Sequence, residues 1–246
     1  SGGDFQSATV NGKYTVNVTA GANMKVTSGS TTQNDLLVQN MTPVIVTADN
    51  GYYFPDNYTA AEKDGVTVTR NSASQVTVSG MPCFNVDITL PAATAKTQAA
   101  TPSAVFTATG SDTGTLSKVE SGMQYSLDKG ATWKNINGSS AELTGLTSGT
   151  AIQIIKRGGE TATDSDVQTI TLTQAEKPTA SFTATGTNSG TLNGVTSGMQ
   201  YQIDNGAWKD ISENSADLTG LTKGTVIHVR RTGTGTTLFS QSQDIT

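Results

Sequence analysis

Apolar and polar residues alternate with a period of two along most of this chain. Val16 and Val18 are flanked by polar residues, and the same alternation recurs in later segments. In a β-strand, this period places one set of side chains against a core and the other set in water. Pairs such as Asp64-Gly65 interrupt the alternation and predict turns. The pattern predicts an all-β protein, in which residues 59–63 form the single helix-like turn.

Two stretches without alternation divide the chain. Residues 91–102 are mostly small and are bounded by prolines, and residues 173–178 form a shorter break. Such segments are typical of linkers between domains. We therefore expect three modules, at about 1–95, 96–174 and 175–246.

The second and third modules are repeats of each other. Ser121-Gly122-Met123-Gln124-Tyr125 returns as Ser197-Gly198-Met199-Gln200-Tyr201 at an offset of 76, whereas Leu143 and Leu218 differ by 75. A period near 75 is longer than a solenoid or propeller repeat, which runs about 20–50 residues, and it suits a compact sandwich. The predicted fold class is three tandem β-sandwich (Ig/fibronectin-like) modules. The first module is either a sandwich or a β-grasp variant with one short helix.

One residue is lost between the two repeats, and the loss falls inside a hairpin signal. An Asp and a Gly entered from an alternating strand and followed by Trp predict a hairpin turn. Both copies keep the three residues Asp128, Gly130 and Trp133, or Asp204, Gly206 and Trp208. We interpret them as structural residues: the aspartates bond their own turn, and the tryptophans cap the core. The segment 126–133 resembles the Asp-box hairpin of sialidases and other β proteins, in which that hairpin is a structural turn.

Two further resemblances concern fold and location. Ala141–Thr150 and Ala216–Thr225 resemble the turn between late strands of fibronectin type III domains, with Ile152 and Ile227 replacing the usual Tyr. The whole chain resembles tandem modules of cell-wall-anchored surface proteins of Gram-positive (Firmicutes-type) gut bacteria. The residues that carry this resemblance lie in the first module: Met41–Val44, Gly51–Pro55, Gly65–Asn71, Gln75–Pro82 and Ile88–Pro91. This resemblance implies a cell-surface or cell-wall location and an adhesive or spacer role.

Composition narrows the functional classes. Thr makes up about one residue in six and Gly numbers 26, which favours strands and turns. The net charge is −5 without a basic stripe, which argues against nucleic acid as a partner. No run of eighteen apolar residues occurs, so we expect no membrane insertion. The single cysteine, Cys83, excludes a disulfide framework and a Cys-based metal site, and we expect it to be a small buried or half-buried residue.

Aromatic residues are densest in the first module, at Tyr52, Tyr53, Phe54 and Tyr58. Aromatic faces suit sugar rings, so this cluster is the candidate ligand-binding site. The alternative is that it packs into the core. No combination of base, nucleophile and oxyanion donor can be assembled, and we predict no catalytic residue, no metal site and no cofactor.

The sequence therefore predicts a non-catalytic, extracellular segment of a longer protein that acts as an adhesin-like binding module or a stalk. The Ser1-Gly2-Gly3 start looks like either a trimmed end or a tether, and we expect the targeting and anchoring signals to lie outside this segment. The expected partner is an extracellular glycan or a host or bacterial surface protein, and we expect a monomeric segment. The alternative is a carbohydrate-binding module that uses the aromatic cluster and serves an enzyme elsewhere in the longer protein.

Overall fold

The computed structural model describes residues 12–246, and all regular structure in that range is β. This confirms the all-β prediction. The described chain divides into two compact units: the first contains residues 12–99 together with 158–164, and the second contains 100–157 and 165–246. No helix long and apolar enough to cross a bilayer occurs among the described residues.

The first unit contains a sandwich of two sheets. Its strands are β1 (Tyr14–Thr19), β2 (Met24–Ser28), β3 (Thr32–Leu36), β4 (Val44–Ala48), β5 (Tyr52–Tyr53), β6 (Val66–Ser72), β7 (Gln75–Gly80), β8 (Val86–Thr89) and β9 (Thr94–Ala95). One sheet has the order β3-β1-β8, with β1 and β8 parallel, and the other has the order β2-β4-β7-β6. The inward residues of both sheets, such as Val16, Val44 and Val78, are fully buried. The first module is therefore a sandwich, not a β-grasp fold.

The helical turn predicted at residues 59–63 does not form, so that prediction was wrong. Five residues are too few to offset the cost of helix nucleation without tertiary support. Instead, the carboxylate of Glu62 accepts a hydrogen bond from the Val68 amide at 3.3 Å. Lys63 forms a β-bridge with Val66. The edge of β6 thus provides hydrogen-bond partners for this segment.

The second unit begins with repeat 1, a sandwich of one three-stranded and one four-stranded sheet. Its strands are β11 (Val105–Ala108), β12 (Gly114–Ser117), β13 (Met123–Ser126), β14 (Lys134–Asn135), β15 (Ser140–Leu143), β16 (Ala151–Lys156) and β18 (Gln168–Thr171). They form one sheet in the order β11-β12-β15 and another in the order β14-β13-β16-β18. Met123, Tyr125 and Leu127 pack against the core as predicted.

Repeat 2 has the same topology. Its strands are β20 (Ser181–Gly186), β21 (Ser189–Asn193), β22 (Met199–Ile203), β23 (Lys209–Ile211), β24 (Ser215–Leu218), β25 (Ile227–Arg231) and β27 (Gln243–Ile245). The sheets run β20-β21-β24 and β23-β22-β25-β27. Met199, Tyr201 and Ile203 contact the core, as predicted from the repeat.

The segments predicted as linkers carry short parallel strands. In the first unit, β10 (Thr97–Gln98) pairs with β17 (Ala162–Thr163), which lies in the loop between β16 and β18. In the second unit, β19 (Thr173–Gln174) pairs with β26 (Thr237–Leu238), which lies in the corresponding loop of repeat 2. We call these two connections the 157–167 loop and the 232–242 loop. The linkers are therefore held by backbone hydrogen bonds.

A buried serine fixes the base of each of these loops. The amide of Lys156 donates to Ser165 Oγ at 2.8 Å, and that hydroxyl donates to the carbonyl of Asp166. Arg231 and Ser240 repeat the same arrangement, also at 2.8 Å. A Cβ added at Gly158 or at Gly233 would lie 2.4 Å or 2.0 Å from a carbonyl across the loop, so both loops require a glycine there.

Candidate functional site

The predicted aromatic site separates into a buried half and an exposed half. Phe54 is fully buried, and its ring lies 4.8 Å from that of Tyr58. The Tyr58 hydroxyl donates to the carbonyl of Pro91 at 2.7 Å, and burial raises its pKa to about 12. Tyr52 and Tyr53 are half-buried and line a groove. Phe54 and Tyr58 are therefore packing residues, and only Tyr52 and Tyr53 could contact a ligand in the groove.

The groove has a volume of about 390 Å³ and lies within the first unit. Tyr52 and Tyr53 form β5, which pairs with β9 in the chain that leaves the first module. The pairing of β10 with β17 brings residues 158–164 to the same place. The Nζ of Lys96 donates to the carbonyl of Gly159 at 3.0 Å. The groove is completed by Ser72, Ala73, Ser74, Lys96, Gly159 and Glu160.

A second recess, of about 230 Å³, shares Tyr53, Ala73 and Glu160 with the groove. Arg70 lies in this recess, where its Nε donates to the carbonyl of Phe54 and its terminal nitrogen lies 3.2 Å from Asp56. Tyr53 thus lines two recesses, and each recess carries groups of both charges. Aromatic surface beside a few polar groups is the usual composition of a small-molecule or sugar site.

Sequence reasoning missed Lys96 and Glu160. Lys96 lies in a segment interpreted as a linker, and Glu160 lies more than a hundred residues from Tyr53 in a segment assigned to another module. The paired glycines Gly158 and Gly159 were the available signal, since glycine often marks a close backbone approach. That signal does not reveal which surface the loop approaches.

The first Asp-box-like hairpin is held by its own side chains, as predicted. Asp128 Oδ1 accepts from the Ser126 hydroxyl at 2.7 Å and from the Thr132 amide at 2.8 Å. Ser126 Oγ in turn accepts from the Gly130 amide at 2.9 Å. Lys129 and Gly130 both adopt positive φ, at 59° and 86°. Each of these contacts serves the turn itself.

The second hairpin uses different contacts. The Asp204 carboxylate accepts from the amide of Val226 at 2.9 Å, which is 22 residues away, so the prediction that it bonds its own turn was wrong. Gln202 replaces the serine and donates from Nε2 to the carbonyl of Gly206 at 2.7 Å. The shortened turn has no threonine in contact with the aspartate, and the Asp204 carboxylate instead joins the hairpin to Val226, which directly precedes β25.

The two tryptophans do not cap the cores, contrary to the prediction. Both are half-buried, and neither belongs to the buried cluster of its repeat. Trp133 lies 5.2 Å from the guanidinium of Arg157, and Trp208 lies 4.0 Å from that of Arg230. Each guanidinium also donates from Nε to a glutamine, Gln124 at 2.6 Å or Gln200 at 2.9 Å. Each indole therefore lies within cation–π distance of a guanidinium and outside the buried cluster of its repeat.

We expect Asp128 to titrate well below an ordinary aspartate. Hydrogen bonds from the Thr132 side chain, the Thr132 amide and Ser126 lower its pKa from 3.8 to about 2. Because the folded-state pKa is depressed, the carboxylate stabilises the hairpin above pH 3.8, and this contribution is lost as the pH falls towards 2. NMR titration of the Thr132 amide measures it. An inflection near 3.8 would contradict the assignment, and Asp128→Asn, which removes the ionisable group, should abolish the low-pH inflection.

Other candidate chemistry is sparse in the described part of the chain. Cys83 is exposed, which contradicts the expectation of a buried or half-buried side chain. It follows β7 in the connection to β8, where its amide donates to the carbonyl of Asp64 and its side chain stays outside the sandwich. Residues 12–246 contain no group of three or more His, Cys, Asp or Glu side chains placed to hold a metal ion.

No protein-family model matches the chain, and no curated protein sequence matches it. Among solved structures, the chain is similar to the FN1–FN3 domains of chicken CNTN1, at 12% identity over 91% of this chain and 97% of that chain, with a TM-score of 0.29. A two-domain fibronectin type III segment of chicken tenascin aligns at 17% identity over 58% of this chain and 95% of that chain, with a TM-score of 0.25. The description of the two repeats as β-sandwiches rests on their own sheets.

Proposed function

We propose that this chain is a non-catalytic spacer segment whose repeats are coupled so that it holds a binding surface at a distance. The observation that supports this is the contact between the two repeats of the second unit. Leu238, from the 232–242 loop of repeat 2, is fully buried in the hydrophobic cluster of repeat 1. Modules that are joined by a flexible linker and move independently would not share a core residue in this way.

Backbone hydrogen bonds reinforce this contact. The amide of Ala108 donates to the carbonyl of Gly235 at 2.9 Å, and the amide of Phe239 donates to the carbonyl of Gly110 at 3.1 Å. The side chain of Gln174 donates to the carbonyls of Ser111 and Phe239, both at 3.0 Å. A linker that is bonded on both sides in this way resists bending between the repeats.

NMR relaxation of backbone amides tests the spacer proposal. We expect repeats 1 and 2 to show the same rotational correlation time, because they move as one body. Leu238→Ser should separate the two values, while the exposed Val105→Ser should leave them equal. Different correlation times for the two repeats in the parent chain would contradict a coupled spacer.

We further propose that the segment works outside the cell, on a bacterial surface or cell wall. The resemblance of the first module to wall-anchored surface proteins supports this, together with the Thr-rich, weakly charged strands. The partner would be a glycan or a surface protein of a host or bacterium. The complete gene product tests the proposal: a secretion signal and a wall-sorting signal should flank these modules, and a cytosolic domain on the same chain would contradict it.

Carbohydrate binding by the first unit is the second candidate function. The specific observation in its favour is the groove in which half-buried Tyr52 and Tyr53 lie beside the ammonium of Lys96 and the carboxylate of Glu160. A sugar ring could stack on a tyrosine face while its hydroxyls bond the charged groups.

We expect Tyr53→Ala to abolish saturable glycan binding while lowering the melting temperature only slightly, since the ring is half-buried. Glycan-array binding and thermal unfolding measure the two effects. Tyr58→Phe is the matched control: it removes a tyrosine hydroxyl outside the groove and should leave binding intact. Unchanged binding by the Tyr53 variant, or no glycan bound by the parent chain, would rule out this site.

A further inference from the structure

The end of repeat 1 that receives Leu238 is a socket with a counterpart in repeat 2. In repeat 1, Leu238 packs with Phe106, Leu146 and Ile152 in one buried cluster. The residues at the same places in repeat 2 are Phe182, Leu221 and Ile227, so the apolar character of the socket is retained. We call these two features the repeat 1 socket and the repeat 2 socket.

The repeat 2 socket is open. A cavity of about 230 Å³ is lined by Phe182, Leu221, Ile227 and Ile245, together with residues 222–225 and Thr246. Phe106 in the filled socket is only 2% exposed, whereas Phe182 is half-buried. Ala108 is buried, and its counterpart Ala184 is exposed. The same apolar surface is thus covered in one repeat and accessible in the other.

The geometry points to a specific occupant. We infer that the repeat 2 socket binds the loop between the last two strands of a further repeat module joined in tandem, with an apolar residue at the place of Leu238. The filled socket shows the contacts that such a loop makes: a buried leucine, a backbone bond to the first strand and a partner strand in the linker. A second copy of this chain fits less well, because its own Leu238 is already buried.

The linker supplies the remaining wall of the filled socket. Leu172 is 1% exposed, and it exchanges hydrogen bonds with the turn below: the Gly149 amide donates to its carbonyl at 2.8 Å, and its amide donates to the Thr150 carbonyl at 2.9 Å. The counterparts of this turn in repeat 2, Gly224 and Thr225, line the open cavity. A tandem module would place both leucines in the socket, one from its linker and one from its loop, because it is covalently joined to repeat 2. A separate protein would have to present two apolar residues in the same geometry.

Fusing a second copy of residues 172–246 after Thr246 of the full chain tests the inference. The fusion recreates the sequence around Leu172, and the added copy carries its own Leu238. Trp133→Phe in the chain and Trp208→Phe in the added copy leave Trp208 of repeat 2 as the sole fluorescent reporter. We expect the unfolding midpoint of repeat 2 to rise by at least about 4 °C, the shift that corresponds to roughly 1 kcal/mol in a domain of this size.

The matched control carries Leu238→Ser in the added copy only. Leu238 lies outside the core cluster of its own repeat, so the added module should fold normally. The rise in midpoint should then disappear. Equal midpoints for the two fusions would overturn the inference. Equal midpoints would not affect the spacer proposal, because that proposal depends on the filled repeat 1 socket. It is tested separately, by NMR relaxation of backbone amides in the unfused chain.

Discussion

Leu238→Ala is expected to destabilise repeat 1, although residue 238 belongs to repeat 2 in the sequence. The side chain is fully buried in the cluster of repeat 1, and truncating a buried leucine typically costs about 2–5 kcal/mol. The cost has two parts: the lost transfer of the side chain out of water, and the cavity left between Phe106 and Leu172. Fluorescence of Trp133 during urea unfolding, in a Trp208→Phe background, measures it for repeat 1 alone.

The control for this prediction is Val105→Ala, which removes apolar atoms from repeat 1 at a position that is 42% exposed. Substitutions at exposed sites usually change the free energy of unfolding by no more than about 0.5 kcal/mol. If Leu238→Ala left the Trp133 transition unchanged, the loop would not contribute to the core of repeat 1. The sockets would then be surface contacts only.

Phe54→Ala is expected to unfold or strongly destabilise the first unit. The ring is fully buried, and replacing a buried phenylalanine with alanine costs about 3–5 kcal/mol. The backbone of Phe54 also forms two hydrogen bonds with neighbouring residues: its amide donates to the Ala73 carbonyl at 2.7 Å, and its carbonyl accepts from Arg70 at 2.9 Å. Loss of the ring would therefore also loosen the strand edge that carries the groove.

Both tryptophans lie outside the first unit, so native-state hydrogen exchange at the amides of β4 and β7 is the suitable measurement. Tyr53→Ala is the control, because the neighbouring ring is half-buried and should cost only about 1 kcal/mol. If both variants lowered the free energy of unfolding of the first unit equally, the division of the aromatic cluster into packing and groove residues would be contradicted. A large loss at Phe54 alone would confirm it.

Local patterns predicted much of the fold because the strands of a β-sandwich direct every second side chain into the core, so buried positions appear in the sequence as alternating apolar residues. Val16 and Val18 were identified as inward residues from period two alone, and both are buried. The repeat was recognised by direct comparison, and the lost residue placed the hairpin tip correctly between β22 and β23. The helical turn at residues 59–63 was wrong, since a short local preference does not outweigh hydrogen bonds offered by an adjacent strand edge.

The hairpin tryptophans show why side-chain direction is harder to predict than strand position. A large aromatic residue after a tight turn could pack inward or stack outward, and its sequence neighbours are the same in either case. Each indole stacks on an arginine that is distant in the sequence: Arg157, which directly follows β16, or Arg230, which lies in β25. These two arginines are not at equivalent places in the two repeats. Lys156, not Arg157, corresponds to Arg231, because each donates its amide to the buried serine of its loop.

The sequence by itself determined that the chain contains repeated β modules, and that the hairpin turn at 126–133 accepts the loss of one residue in its second copy. It could do so because alternation and turn residues act over a few neighbouring positions. Tertiary structure alone decided which modules share a core and where a ligand could bind. Leu238 completes the cluster around Phe106, and Glu160 lies beside Tyr53, although each pair is separated by more than a hundred residues. These contacts form because the 157–167 and 232–242 loops pair with the linker segments that precede their modules. Neither residue type nor periodicity in the sequence predicts which segment a loop will pair with.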